Sequence, residues 1–150
     1  MPLTDDELEE FLSAPRLAHF ATVSGGERPR VRPLWYAWRD GAFYFTTRLE
    51  VRYTGADVTA GSTVAVSIAS EDRPYRAVLA RGTAEVWTED REGWLEQIAV
   101  RYGEEEGRAW LRRGLEEPDR VVLRLVPDQL ITWDYGKGDS RHQSARRSGG

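Results

Sequence analysis

Hydroxyl and guanidinium side chains cluster where a predicted strand gives way to a predicted helix. Thr46 and Thr47 end the strand, Arg48 follows directly, and Arg52 comes four residues later. If the chain is helical there, Arg48 and Arg52 share one helix face. Hydroxyls, backbone N–H groups and paired arginines are the groups that bind a phosphate. The segment is therefore a candidate anion site, and the alternative is a solvated, charged helix start.

The strand before this segment belongs to a predicted β-hairpin. Asp40 and Gly41 stand between two apolar, aromatic-rich runs at residues 30–38 and 42–46. Such a two-residue turn needs positive φ angles, which Asp and Gly adopt more readily than most residues. The sequence therefore predicts two antiparallel strands that lead directly into the candidate anion site.

The remaining pattern predicts a mainly β domain with a few helices. Thr4 and Glu7 form a capping box that begins a short helix at 5–13. Thr88 is predicted to cap a helix, and another helix follows at 104–115. Alternating apolar residues and turn residues predict strands at 17–23, 63–69, 75–87, 121–126 and 129–133, with a weak helix at 51–58. Hairpins without regular βαβ alternation indicate an antiparallel barrel with peripheral helices.

Length and composition predict one soluble domain. The chain has 150 residues, of which 40% are hydrophobic and 31% charged, so it can bury a core. It contains no cysteine and two histidines, so disulfides and thiolate metal sites are excluded and no metal is expected. His19 lies in an apolar run, where a hydrogen-bonded core histidine is the expected role. No apolar run approaches the ~18 residues of a membrane span, so we expect a cytoplasmic protein without a membrane partner.

Charge is distributed unevenly along the chain. The whole chain has a net charge of −4. Residues 136–150 carry +3, so residues 1–135 carry −7. We therefore expect a single domain over residues 1–135, followed by a flexible basic tail over 136–150. The acidic charge of the domain argues against nucleic acid as a partner.

Four segments, in their order and spacing, resemble a known family. They are residues 17–23, 30–36, 40–48 and 81–86, and the resemblance extends from about Leu3 to Trp133. The chain resembles the split-β-barrel flavin-binding proteins related to pyridoxamine 5′-phosphate oxidase, especially the branch that uses the deazaflavin coenzyme F420. The resemblance implies an antiparallel split barrel and a homodimer with its two cofactor grooves at the subunit interface.

The resemblance also implies a cofactor and its contacts. One site would take FMN or coenzyme F420, and the implied reaction is hydride transfer between that cofactor and a small organic substrate. No side chain stands out as a general acid or base. The implied cofactor contacts lie on the first hairpin strand and just beyond the second, at Arg30, Val31, Arg32, Pro33, Thr46, Thr47, Arg48 and Arg52.

The chain departs from true pyridoxamine phosphate oxidases at several positions. Trp35 stands where those enzymes carry a basic substrate contact, and Ala77 stands where they carry a flavin-contacting Gln. Their C-terminal Arg and His substrate motif has no clear counterpart, because Arg141 and His142 lie in the polar tail. Oxidation of pyridoxamine phosphate is therefore not expected.

Two other interpretations use the same residues. The first is a non-catalytic flavin or haem binder, acting as a carrier or sensor on the same barrel. The second is an oligonucleotide-binding barrel in which aromatic residues and Arg28, Arg30 and Arg32 form a stacking groove. The aromatic residues are also open to two roles, since Trp35, Tyr36 and Trp38 could flank a cofactor ring or pack within the fold.

Overall fold

The computed structural model describes residues 1–24, 27–49 and 54–137. Within these ranges the helices are α1 (Asp5–Ser13), α2 (Thr54–Thr59), α3 (Arg91–Val100) and α4 (Glu104–Glu116). The strands are β1 (Ala18–Val23), β2 (Pro29–Leu34), β3 (Tyr36–Arg39), β4 (Ala42–Arg48), β5 (Thr63–Ala69), β6 (Arg76–Trp87), β7 (Arg120–Leu125) and β8 (Gln129–Asp134). None of the described helices is long and apolar enough to cross a membrane.

The strands form one curled antiparallel sheet, which confirms the predicted fold class. Their order is β2-β1-β5-β6-β7-β4-β3, and β8 pairs with β6. The long strand β6 joins the two halves: residues 76–83 pair with β5 and β8, whereas residues 84–87 pair with β7. Gly82 lies at this change of partner, and a Cβ there would be only 3.0 Å from Cδ1 of Leu125. The sheet therefore closes into a half-barrel around β6.

Apolar side chains cover both faces of β4. On the inner face, Phe43 and Phe45 pack with Phe20 and with Phe11 and Leu12 of α1. On the outer face, Tyr44 packs beneath α3, where Leu95 and Ile98 are fully buried. A strand buried on both faces reads as a continuous apolar run in the sequence. The end of β4 is therefore enclosed by the barrel on one side and by the α3–α4 layer on the other.

The two sharpest local predictions are confirmed. β3 and β4 form a hairpin around Asp40 and Gly41, whose φ angles are 51° and 78°. At α1, the Thr4 hydroxyl accepts from the Glu7 N–H at 3.2 Å, and the Glu7 carboxylate accepts from the Thr4 N–H at 2.9 Å. Both features depend on contacts between residues close together in the chain, so the sequence alone determines them.

Two element boundaries differ from prediction. The expected strand at 30–38 is two strands, because Trp35 interrupts it and β2 pairs with β1 while β3 pairs with β4. The break is stabilised by Tyr102, whose hydroxyl accepts from the Tyr36 N–H at 3.0 Å. Helix α3 is capped by Asp90, which adopts a left-handed backbone conformation, rather than by Thr88. Of the predicted weak helix at 51–58, the first residues lie outside the described chain.

The ends of the described chain lie side by side. The Lys137 ammonium donates to the Pro2 carbonyl at 3.1 Å and pairs with the Glu7 carboxylate. Lys137, the second residue of the predicted tail, thus contacts the N-terminal segment, and residues 138–150 lie outside the described chain. Hydrogen bonds from Lys137 and from the Thr4 backbone lower the pKa of Glu7 to about 2.

Lys137→Ala should raise the pKa of Glu7 from about 2 towards its ordinary value of 4.5. The ammonium supplies the largest stabilisation of the carboxylate, and its removal leaves the Thr4 contacts. The carboxyl ¹³C shift of Glu7, followed against pH, measures this change. Because the folded pKa is depressed, the contribution to stability is present above pH 4.5 and is lost as the pH falls to about 2. An unchanged Glu7 titration would contradict the assignment.

Gly82→Val should lower the free energy of unfolding by about 1–3 kcal/mol, the usual cost of overpacking. The new side chain would meet Cδ1 of Leu125 at 3.0 Å and the carbonyl oxygen of Val126 at 3.3 Å. Urea unfolding measures the effect, with Thr83→Val as the matched control at an exposed, already β-branched neighbour. Equal stability of the two variants would mean that β6 has room for a side chain where it changes partner.

Candidate functional site

Thr46 and Thr47 lie on opposite faces of β4. Both are buried, with 5% and 3% of their surface exposed. Side chains alternate along a strand, so Thr47 continues the inner face of Phe45 and Thr46 continues the outer face of Tyr44. On that outer face, the Thr46 hydroxyl accepts a hydrogen bond from Nη1 of Arg120 at 3.4 Å. The two predicted hydroxyls therefore do not face the same space.

Arg48 shares the outer face of β4 with Thr46 and lies directly opposite Arg120 of β7. Like charges in this position destabilise a strand pair unless they are compensated. Two acids from the α4–β7 link compensate them: Asp119 accepts from Nε of Arg48 at 3.0 and 3.2 Å, and Oε2 of Glu117 lies 2.6 Å from the same nitrogen. Glu117 Oε2 is also 3.3 Å from Nη2 of Arg120. We call these residues the Arg48–Arg120 cluster: Thr46, Arg48, Glu117, Asp119 and Arg120.

The backbone of the α4–β7 link is held in place by separate hydrogen bonds. Arg91 of α3 donates through Nε to the Arg120 carbonyl and through Nη2 to the Glu117 carbonyl, both at 2.7 Å. The Leu49 N–H donates to the Asp119 carbonyl at 3.0 Å. The link is therefore attached both to the helical layer and to the end of β4.

Arg30 belongs to a second group, on the inner face of β2. It lies opposite Thr22, whose hydroxyl donates to Oδ2 of Asp57 at 2.6 Å. Nη1 of Arg30 is 3.9 Å from the same oxygen. Asp57 lies on α2 and is 7% exposed, and a buried carboxylate is costly unless it is paired and hydrogen-bonded. Arg30 and Thr22 meet this requirement and attach α2 to the barrel.

The other predicted contacts on β2 alternate across the same strand. Val31 and Pro33 face outwards, and Val31 is 64% exposed. Arg32 shares the inner side with Arg30, is half-buried, and forms no ion pair with any residue in the described ranges. The four consecutive predicted residues therefore contribute to two different faces of the barrel wall.

The outer face of the sheet forms a shallow, mostly apolar cavity of about 360 Å³, a volume within the usual range of small-molecule sites. Its polar groups include His19, which is exposed. The expectation of a core histidine is therefore wrong, because β1 directs His19 outwards beside Pro33 and Ser67 while its neighbours Ala18 and Phe20 enter the core. The cavity is lined by His19, Ala21, Val31, Ala65, Val66, Ser67, Leu79, Ala80, Arg81, Gln129 and Ile131.

The hairpin aromatics pack within the fold. Trp35 stacks on Tyr102 with ring centroids 4.5 Å apart, and Trp38 lies 4.5 Å from Phe43. Tyr36 is fully buried. Burial raises the pKa of Tyr36 and of Tyr102, so both phenols stay protonated at neutral pH. The packing role is therefore the one that the geometry supports for these aromatic residues.

The sequence patterns did not identify three members of the cluster: Glu117, Asp119 and Arg120. Arg52 lies outside the described residues, so the structure does not locate it. Glu117, Asp119 and Arg120 lie within four residues of one another, but nothing local indicates that β7 pairs with the end of β4. Asp57 was missed for the same reason, since its partners belong to β1 and β2. In the part of the chain that the structure describes, no three His, Asp or Glu side chains form a metal-binding group.

Comparison with known proteins places this architecture in a family. The sequence model described as pyridoxamine 5′-phosphate oxidase matches residues 4–134. Among curated proteins, no sequence matches significantly. Similar solved structures include an F420 reductase at 28% identity, with a TM-score of 0.67 and coverage of 81% of this chain and 94% of that chain.

Two more distant structures share the fold. The haem storage protein HutZ from Vibrio cholerae has 20% identity and a TM-score of 0.67, with 88% of this chain and 96% of that chain covered. A FAD-binding protein from Mesorhizobium loti has 19% identity and a TM-score of 0.63, with 88% and 93% covered. The family match runs from the cap of α1 to the end of β8. The chain therefore belongs to the pyridoxamine 5′-phosphate oxidase family of split β-barrel proteins.

Proposed function

We propose that the protein binds a flavin-type cofactor, FMN or coenzyme F420, and transfers a hydride between it and a small organic substrate. The observation that carries this proposal is the Arg48–Arg120 cluster. Two guanidinium groups approach the same carboxylate oxygen of Glu117, and the Thr46 hydroxyl hydrogen-bonds to one of them. An arrangement of donors that already holds one oxyanion fits a phosphate. Family membership and the likeness to an F420 reductase support the same cofactor class.

The protein's own residues would bind and orient the cofactor. Arg48, Arg52 and Thr46 would hold its phosphate, and the outward residues Val31 and Pro33 would contact its ring. The cofactor supplies the redox chemistry when bound. Thr47, Arg30 and Arg32 face inwards on their strands, so we assign them to supporting the wall of the site from within the barrel. Tyr36 and Tyr102 are hydrogen-bonded and stay protonated, so neither is assigned a proton transfer.

The proposal does not extend to oxidation of pyridoxamine phosphate. Trp35, at the position of a basic substrate contact, stacks on Tyr102 and lies near Trp110 in the helical layer. Its indole is therefore committed to packing. Ala77 lies on β6 opposite Ala69, where a short side chain offers no hydrogen bond to a flavin.

A haem binder is the second candidate. The observation in its favour is the exposed imidazole of His19 beside the apolar cavity, since neutral imidazole is a common haem ligand. Titration with haemin, in wild type and in His19→Ala, tests this candidate by the absorbance of the complex. The oligonucleotide interpretation is weakened because Arg30 pairs with Asp57, and salt-dependent binding of single-stranded oligonucleotides tests it.

Titration with FMN and F420, followed by turnover, tests the principal proposal. A bound flavin or deazaflavin changes its absorbance and fluorescence, and reoxidation of the reduced, bound cofactor by an added acceptor identifies an enzyme. Tight binding without turnover of any acceptor supports a carrier instead. Absence of binding to FMN, riboflavin and F420 would overturn the proposal.

We further propose a homodimer formed through the outer face of β2, β1, β5, β6 and β8. This face combines exposed apolar residues, including Val31 and Ile131, with small residues such as Ala21 and Ala65 that let another surface approach closely. No helix of the described chain covers it, whereas α3 and α4 cover the other half of the sheet. A second copy would bury the apolar surface.

Arg52→Ala should weaken binding of FMN or F420 by about tenfold or more, since a hydrogen bond to a charged group contributes roughly 1.5–3 kcal/mol. Riboflavin carries the same ring as FMN without the phosphate, so its affinity should barely change. Fluorescence titration measures both ligands. Arg48→Ala should act in the same direction, but it also leaves Glu117 and Asp119 without this cation, so its thermal stability is measured alongside.

The matched control for both arginines is Arg108→Ala. Arg108 lies on the exposed side of α4 and pairs with Glu104 at 3.0 Å, away from the cluster. This variant changes the net charge by the same amount and should bind both ligands like wild type. Equal losses for FMN and riboflavin in Arg52→Ala, or no loss for either, would mean that the phosphate lies elsewhere.

Val31→Glu should convert the proposed dimer to a monomer, raising its dissociation constant by more than about tenfold, because an unpaired buried charge is costly. Val31 is 64% exposed in the single chain, so the fold itself should tolerate the change. Val100→Glu is the control, since Val100 is 58% exposed on α3 and away from the proposed interface. Sedimentation velocity at micromolar concentration measures the species present. A monomeric wild type, or a dimer unaffected by Val31→Glu, would contradict the interface.

A further inference from the structure

The Glu117 carboxylate lies between the two arginines of the cluster. Its Oε2 is 2.6 Å from Nε of Arg48 and 3.3 Å from Nη2 of Arg120. A single anionic oxygen that bridges two guanidinium groups has the geometry of a phosphate oxygen held by two arginines. The Glu117 side chain thus occupies the position that an oxyanion ligand would take between the two arginines.

Three carboxylate oxygens crowd around Nε of Arg48. Its Nε carries one hydrogen, yet Glu117 Oε2 and both carboxylate oxygens of Asp119 lie within 3.2 Å of it. Two carboxylates this close repel each other. The Asp119 side chain is 8% exposed and that of Glu117 is 24% exposed, so water can solvate Glu117 more readily once it leaves. Of the two acids, Glu117 is the one that an incoming anion can displace.

Arg120 also has capacity for another acceptor. Its side chain is 14% exposed, packs over Trp110, and hydrogen-bonds weakly to Thr46 at 3.4 Å. Its Nε is buried, and no residue in the described ranges accepts a hydrogen bond from it. A guanidinium held this loosely gains from a more strongly charged partner than the Glu117 carboxylate.

Displacement of the Glu117 side chain leaves the link intact. Its backbone carbonyl is held by Arg91 at 2.7 Å, and its N–H donates to the Gly114 carbonyl at 3.2 Å. Asp119 keeps its contact with Arg48, so this arginine stays in position while Glu117 moves. Only rotation of the Glu117 side chain is required.

We propose that the cofactor phosphate binds between Arg48 and Arg120 by displacing the Glu117 carboxylate. Arg120 is then a phosphate ligand, and Glu117 is an internal competitor that lowers the affinity of the site for phosphorylated ligands. The inference rests on the proposed function, because it assumes that the cofactor phosphate reaches the Arg48–Arg120 cluster.

The test compares Glu117→Gln with Glu116→Gln. Both changes remove one negative charge, but Glu116 is exposed on α4 and Glu117 contacts the arginines. Glu117→Gln should tighten FMN binding by about three- to tenfold relative to riboflavin, because the phosphate no longer competes with a charge. The same comparison is made for F420 and for its core, 8-hydroxy-5-deazariboflavin, which lacks the phosphate and the side chain attached beyond it. Glu116→Gln should bind all four ligands like wild type.

A second variant tests the role of Arg120. Arg120→Lys keeps the charge but loses the two-pronged donor, so FMN affinity should fall about fivefold while riboflavin affinity holds. Thermal unfolding and riboflavin binding report whether the variant is folded. If the phosphate-free rings bind but Glu117→Gln leaves the FMN-to-riboflavin and F420-to-deazariboflavin ratios unchanged, the inference is overturned and the proposed function stands. If wild type and variants bind neither ring, both are overturned.

Discussion

Strand β6 pairs with different neighbours at its two ends, and the rest of the architecture depends on this arrangement. Residues 76–83 of β6 pair with β5 and β8, and residues 84–87 pair with β7. Because β7 also pairs with β4, this change of partner brings the end of β4 next to the α4–β7 link. Arg48, Arg120 and the two acids meet only through that connection. Gly82 allows it, since a side chain there would press against Leu125.

The two arginine groups differ in how exposed one of their carboxylates is, Asp57 in one group and Glu117 in the other, and this suits them to different roles. The Arg30–Asp57 pair lies on the inner face, where Asp57 is nearly inaccessible and also bonded to Thr22. Opening a buried pair leaves an uncompensated charge, so this group is suited to holding α2 in place. In the Arg48–Arg120 cluster, 39% of the Arg48 side chain is exposed. Arg120 and Asp119 are more buried, at 14% and 8%, so a ligand would enter this group where Arg48 and the 24%-exposed Glu117 meet solvent.

Local contacts explain which predictions from sequence succeeded. The Asp40–Gly41 turn and the Thr4–Glu7 capping box need only neighbouring residues, and both are present. The break at Trp35 was missed because it depends on Tyr102, which is distant along the chain. The exposure of His19 was missed because an apolar run does not reveal which strand face the core occupies.

In the candidate site, too, the sequence identified residues with local signals and missed those that depend on distant contacts. Thr46 and Arg48 could be selected from their position after a strand, but their partners could not. Glu117, Asp119 and Arg120 become neighbours of β4 only through the register of β7. Selecting them would have required the strand order of the whole sheet, which single-sequence patterns do not contain. A resemblance to a family supplied the fold, but not these side chains.

Side chains alternate between the two faces of β2 and β4, and this limits which of the predicted residues one ligand can contact directly. Val31 and Pro33 of β2 and Thr46 and Arg48 of β4 all lie on the outer side of the barrel wall, away from the inner core of Phe20 and Phe45. Arg30, Arg32 and Thr47 lie on its inner side. The outward residues of β2 belong to the uncovered half of the sheet, whereas those of β4 lie beside the α3–α4 layer, so a ligand that contacts both sets has to reach from one half of the barrel to the other. In the proposed binding mode Arg30, Arg32 and Thr47 contribute only through the position of the wall, because their side chains are directed into the barrel.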